Sequence, residues 1–488
     1  MPSLKKNFFY SVLLTLANYI FPLITYPYVS RVLGVTNIGV CNFVDSIVNW
    51  FILFSMMGIS VVGVREIAAS RGERQQQSRT FSALLALNAA TTLLSAVALA
   101  VAIFAVPALY AHKELMCIGL LRLVANFLCI EWLFKGLEEF RFITLRSVAI
   151  RTLYVIAVFV FIRKPEDYNV YYLLLCLTIV ANAFVNMGYS RRFVSLVRDR
   201  IPIRRMAGPF FLIGLYTVMT SMYTSFNVAF LGFVSSPEQV GYYTSATKIF
   251  GMIIALFTAF TSVMLPRMSA VLAEGRDEEF KQIVQKVLRV LFCLGIPVVL
   301  LMEVEAGDII RIISGKGYEG AVVPLRIIAP LILIIGMEQV LVLQTMMPMK
   351  YDRPVLINSM IGALTGILLN ILLVDRMEAI GSSVVWLVSE LAVLGGAIVV
   401  VTRKAGIPFP VRPFLSELAR YLILACLLLG TSFLPVPFYV RFIIAVFVTV
   451  VYFLVVNLLV FPSQEVKEVL MAAIPEPFRG KHLSRCSE

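Results

Sequence analysis

Ionisable side chains set within long apolar stretches are the residues of this chain that could do chemistry. Asp45, Arg122, Glu131, Arg151 and Lys248 each interrupt such a stretch, as do Arg289, Arg326, Glu338 and Glu390. A charge near the centre of a bilayer costs about 2.5–3.5 kcal/mol unless it faces a wet cavity or a partner. Facing lipid is therefore untenable for the whole set. Arg289 and Arg326 lie close enough to helix ends to snorkel. For Arg31, Asp45, Arg151 and Lys248 two readings stay open: a role in a cavity that passes a charged ligand or ion, or a buried structural ion pair. Arg122 and Glu131 share a helix but are too far apart to pair, so each needs a partner on another helix. Asp45 is placed to neutralise Arg31.

Covalent chemistry has little support. The chain carries no HExxH, GxxxxGK[ST], DxD or GxSxG sequence and only two histidines, His112 and His482. Its seven cysteines are scattered, with no CxxC pair and no disulfide framework. No catalytic residue, metal site or cofactor is expected.

The elements that hold the charges are membrane spans. With 488 residues, 60% hydrophobic and 15% charged, and a mean hydropathy of +0.89, the chain has too little polar surface for a soluble protein of its size. A span needs roughly 20 mostly apolar residues, and fourteen stretches qualify, from 8–30 to 442–461. The net charge of +13 does not point to nucleic acid, because most of the lysines and arginines fall in alternate loops. The positive-inside rule then puts both termini in the cytoplasm. The outer loops are too short for a catalytic domain.

The first span bends at Pro22 and Pro27, with Asn18, Pro22 and Thr25 on one face as an inward polar stripe. Its layout returns about 200 residues later: Leu33-Gly34 answers to Leu231-Gly232, Gly39 to Gly241, and Asp45 falls near Lys248. This is an internal repeat of the kind that builds transporter halves around a central path. The expected architecture is all-α and polytopic, with two six-helix lobes in a pseudo-two-fold repeat (1–207 and 208–404), two extra spans (405–462) and a cytoplasmic tail (463–488). Neutral polar residues on the spans, Gln339 and Gln344 among them, suit hydroxyl-rich ligands or pack neighbouring helices.

NFFYSVLLTLANYIFPLITYPYVSRVLG at 7–34, GVREIA at 63–68, IEWLFKGLEEFRFITLRS at 130–147 and VGYYTSATKI at 240–249 resemble signature stretches of bacterial polysaccharide flippases. These are the Wzx-type O-antigen and capsule repeat-unit translocases of the multidrug/oligosaccharidyl-lipid/polysaccharide exporter superfamily. The resemblance implies translocation of an undecaprenyl-pyrophosphate-linked oligosaccharide between leaflets of the bacterial inner membrane, by alternating access around a cationic cavity. It implies membrane lipids as surroundings and polysaccharide polymerase and glycosyltransferases as partners. Matched onto its motifs, Arg31, Arg65, Lys248 and Gln344 would meet the headgroup, and Glu131 is a recurrent acidic position. Arg122 and Arg151 join the cavity set from membrane placement alone, and Asp45 and Glu131 are the candidates for gating or ion coupling. The rivals are a cation-coupled multidrug antiporter of the same superfamily and an integral-membrane polysaccharide polymerase.

Overall fold

A backbone in hydrocarbon finds no water, so each apolar stretch must satisfy its own N–H and C=O groups, and helix is the form that does so. The computed structural model describes residues 4–197 and 203–461, and no strand occurs among them. Among the described residues ten helices are long and apolar enough to cross a membrane, or eleven if Ile203–Met222 and Phe226–Val234, bent by 53°, make one span. The expected count of fourteen is not what unbroken helices give. The runs Leu13–Ala69 and Asp352–Lys404 contain 57 and 53 residues. At 1.5 Å per residue each is about 80 Å long, over twice the hydrocarbon core. Each also breaks inside, at Gly34 (φ 75°) and at Glu378 (φ 49°), so each holds two of the expected stretches. The stretch 240–265 falls in Pro237–Ala273, outside the ten. The molecule is a multi-pass membrane protein.

Chain contacts divide it into two compact units. The first comprises residues 1–252, 313–324 and 359–389. Its helices are α1 (Leu4–Met56), α2 (Ile59–Ala69), α3 (Arg74–Ala105), α4 (Lys113–Phe127), α5 (Glu131–Gly136), α6 (Phe140–Phe161), α7 (Tyr168–Ser190), α8 (Ile203–Thr224), α9 (Phe226–Val234) and the first part of α10 (Pro237–Ala273). Only glycine adopts φ near +75° without strain, and Gly34 lets α1 turn back on itself there.

Close to that turn, repeat-related residues meet. A Cβ on Gly39 would collide with the Pro237 carbonyl and approach the Gly241 amide to 3.0 Å, and one on Gly241 would collide with the Val35 carbonyl. Three residues on, the Asn42 amide donates to Thr244 at 2.9 Å across the same 202-residue offset. The opposite end has a second crossing. The helix breaks at Met57 (φ 42°), and the Gly58 N–H donates to the Phe210 carbonyl of α8 at 3.1 Å. A Cβ on Gly214 would lie 2.7 Å from Met57 Sδ.

The second unit comprises residues 253–312, 325–358 and 390 onward. It is organised on α11 (Asp277–Ile313), which carries Pro297. The last two spans dock on it through polar groups. Asp308 accepts two hydrogen bonds from the Arg441 guanidinium, and Glu305 accepts one from Thr431 at 3.2 Å. Tyr421 donates to the Cys293 carbonyl at 3.1 Å and accepts from Asn457 at 2.8 Å. Arg289 and Arg326 are exposed, as snorkelling side chains are.

Candidate functional site

The first unit encloses two cavities that share Asn42, Asp45 and Lys248. The larger, of about 540 Å³, lies among both halves of α1 and helices α6, α7 and α10. The first half of α1, which carries Pro22 and Pro27, contributes Thr25 and Tyr26; α6 adds Arg151 and Tyr154, and α7 adds Tyr171, Thr178 and Asn182. The smaller, of about 360 Å³, lies between the second half of α1 and helices α8 to α10. There α1 contributes Asn49 and Trp50, α8 contributes Ser221, and α10 contributes Thr244 and Thr247.

Two kinds of charge face these cavities. Arg122 of α4 pairs with the Asp45 carboxylate and donates to Asn49 Oδ1 at 3.1 Å, and the Asn49 amide returns a bond to Asp45 at 2.8 Å. That is a closed network of compensated charge. Lys248 differs: its Nζ donates to Asn42 Oδ1 at 3.0 Å and stands 4.8 Å from the centroid of the Tyr26 ring, both neutral partners. Arg151 reaches only the Ala17 carbonyl, at 3.5 Å. Among the described residues neither cation forms an ion pair. A cation among helices with no counter-charge is costly unless an anion or water meets it.

The remaining candidates are distributed otherwise. Arg31 is exposed beside Gly315 and donates to the Pro27 carbonyl. It does not neutralise Asp45, which is taken by Arg122. Arg31 precedes the turn at Gly34 by three residues and Asp45 follows it by eleven, which puts them at depths of about 4.5 and 16 Å from the turn. Arg65 lies beyond the Met57 break, 56% exposed and paired with Glu66 at 3.1 Å. Glu131 finds its partner on another helix, Arg146 of α6 at 2.6 Å, with Lys135 at 3.8 Å. Gln344 is buried in the second unit, within the π-helical stretch Gln339–Met346. Of the α1 stripe, Thr25 and Pro22 line the larger cavity, whereas Asn18 is exposed and does not.

Several cavity residues escape a search for charge alone: Asn42, Asn49, Trp50 and the phenols of Tyr26, Tyr154 and Tyr171. The signal that could find Asn42 is the repeat, since its bonding partner Thr244 is its own repeat mate.

A family model described as polysaccharide biosynthesis protein matches residues 4–272, and a second, MatE, matches residues 213–372. The chain is 26% identical over 394 residues to an Escherichia coli (strain K12) protein named "Putative O-antigen transporter", covering 80% of this chain and 94% of the relative. A Shigella dysenteriae protein of the same name is 25% identical over 287 residues, covering 54% and 67%. Among solved structures the fold is similar to the lipid II flippase MurJ in an inward closed conformation, with TM-score 0.73 and 13% identity over 92% of this chain and 99% of that one. It is also similar to an inward-facing multidrug resistance MATE family transporter of the MOP superfamily, with TM-score 0.58 and 15% identity over 84% and 95%. Likeness at such identities concerns the fold, which is an all-α membrane bundle. Because the first family model spans more than half of the sequence, this polytopic all-α chain belongs to the polysaccharide biosynthesis protein family.

Proposed function

We propose that this protein is a flippase, not an enzyme, and that it moves a lipid-linked oligosaccharide repeat unit from the inner to the outer leaflet of the bacterial cytoplasmic membrane for surface polysaccharide synthesis. The observation that carries the reading is the pair of intramembrane cations without ion pairs, Arg151 and Lys248, beside one cavity. A pyrophosphate link cannot cross hydrocarbon unaided. A guanidinium can grip two of its oxygens, and an ammonium held by a neutral amide and a ring can hand it on. Membership of the family and the names borne by its relatives support the same reading.

In this reading the lipid is undecaprenyl pyrophosphate, both termini are cytoplasmic, and two six-helix lobes divided near 207 and 404 alternate in access. Arg31, Arg65 and Gln344 belong to the path before and after the cavity. Asp45 with Arg122, and Glu131 with Arg146, are the pairs whose opening gates it or couples it to an ion. The match of the MatE model to residues 213–372 favours a second reading, cation-coupled extrusion of a drug.

One experiment separates the two. Deleting the gene should trap completed lipid-linked repeat units on the cytoplasmic face. Wild type should restore their outward display, while Lys248→Ala should lower the rate at least tenfold and Lys248→Arg retain part of it. Normal display in the deletion strain, with drug sensitivity instead, would replace the flippase reading with the second one.

A further inference from the structure

The two cavities that meet at Asn42, Asp45 and Lys248 differ in the hydrogen-bonding sense of their walls. In the smaller chamber the hydroxyls of Ser46, Ser221, Ser225 and Thr247 all donate to carbonyls three or four residues back, at 2.7 to 3.1 Å. Their donor hydrogens are spent, and what they offer a ligand is lone pairs. The Asn49 amide gives one hydrogen to Asp45 and accepts from Arg122 through its oxygen. Asn42 and Lys248 also line this chamber, donating to Thr244 and to Asn42 Oδ1.

Hydroxyl lone pairs give a phosphate, which offers acceptors only, nothing to bind. They suit a ligand edged with hydroxyls, each of which donates to a lone pair. The larger cavity also has spent hydroxyls, at Thr25 and Thr178, but it adds the Arg151 guanidinium to Lys248. Anion chemistry is therefore concentrated on that side. Trp50 supplies a ring of the kind on which the C–H face of a pyranose stacks, braced edge-on by Phe226 at 5.7 Å. Of the other two tryptophans, Trp132 is 3% exposed within an aromatic core beside Phe81, and Trp386 packs edge-on against Phe250. The chamber's 360 Å³ falls within the usual range of small-molecule sites, about 300–1,000 Å³.

We propose that the smaller chamber is a subsite for the uncharged sugar of the transported lipid, distinct from the cationic subsite for its pyrophosphate, and that Trp50 is the residue that reads the sugar. This rests on the flippase reading.

The test compares two ligands on the purified full chain: undecaprenyl pyrophosphate, and the undecaprenyl-pyrophosphate-linked oligosaccharide extracted from cells lacking the protein. In wild type the sugar should add affinity. Trp50→Ala should shrink the ratio of the two affinities at least tenfold. Trp50→Phe keeps a smaller ring against Phe226 and should shrink it by a smaller factor, so loss of fold in the alanine variant does not stand in for the result. Arg151→Ala should weaken both ligands alike. An unchanged ratio in the Trp50 variants, or an equal loss for both lipids, would overturn the assignment and leave the flippase reading standing. Wild type that bound neither lipid would overturn both.

Discussion

At Asp45 the fold chose a partner that chain proximity does not suggest. Arg31 lies nearer in sequence, but the turn at Gly34 sets the two at different depths, and Arg122 arrives from α4 at the right one. Replacing Asp45 by Asn leaves a partly buried guanidinium without its counter-charge. The expected cost is about 1.5–3 kcal/mol, the range for hydrogen bonds to charged groups, read as a lowered unfolding temperature in detergent. Asp45→Ala combined with Arg122→Ala should cost less than the sum of the two single changes, because the pair fails as a unit. Charge inside spans was legible in the sequence, and it led to Lys248, Arg151 and Asp45 because hydrocarbon makes charge conspicuous. Trp50 and the cavity asparagines were not legible by that route: in a chain of this hydropathy an aromatic or amide residue is ordinary packing material until a cavity is seen beside it.

The glycines at 39 and 241, and at 58 and 214, let the second half of α1 press against helices α8 and α10 at both ends of the polar chamber. The Gly39–Gly241 correspondence was readable as a repeat, but its meaning, that the two mates touch, needed three dimensions. The Gly58–Gly214 crossing joins residues unrelated by the repeat, and no periodicity announces it. If this crossing opens during transport, locking it should stop the cycle. In a cysteine-free background, Met57→Cys with Gly214→Cys should cross-link on mild oxidation once the helices part by the ~1 Å that takes the two Cβ atoms from 2.8 Å to disulfide range. Transport should halt on oxidation and resume on reduction. Transport unaffected by a complete cross-link would show that the crossing is static. Gly58→Leu, which must displace Phe210 and Ile213, should depress transport without any oxidant.

For the whole molecule, hydropathy was enough to establish a multi-pass bundle and not enough to count its helices. A 57-residue run reads as two spans in sequence and as one interrupted helix in the fold, because a single glycine carries the reversal. The basic loops predict an orientation with both termini in the cytoplasm. A fluorescent protein joined to the C-terminus should mature and fluoresce, and alkaline phosphatase inserted near residue 166 should be active. The reverse pattern would invert the path proposed for the headgroup.

The bond from the Gly58 amide to the Phe210 carbonyl joins two helices through main chain alone. Side-chain scanning is blind to such a link, since no substitution at 210 other than through its shape touches the carbonyl. The same property makes that one amide hydrogen a clock. Sheltered while the helices are crossed and released whenever they part, its exchange with deuterium keeps time for the opening of this end of the chamber, with no label added and no residue changed.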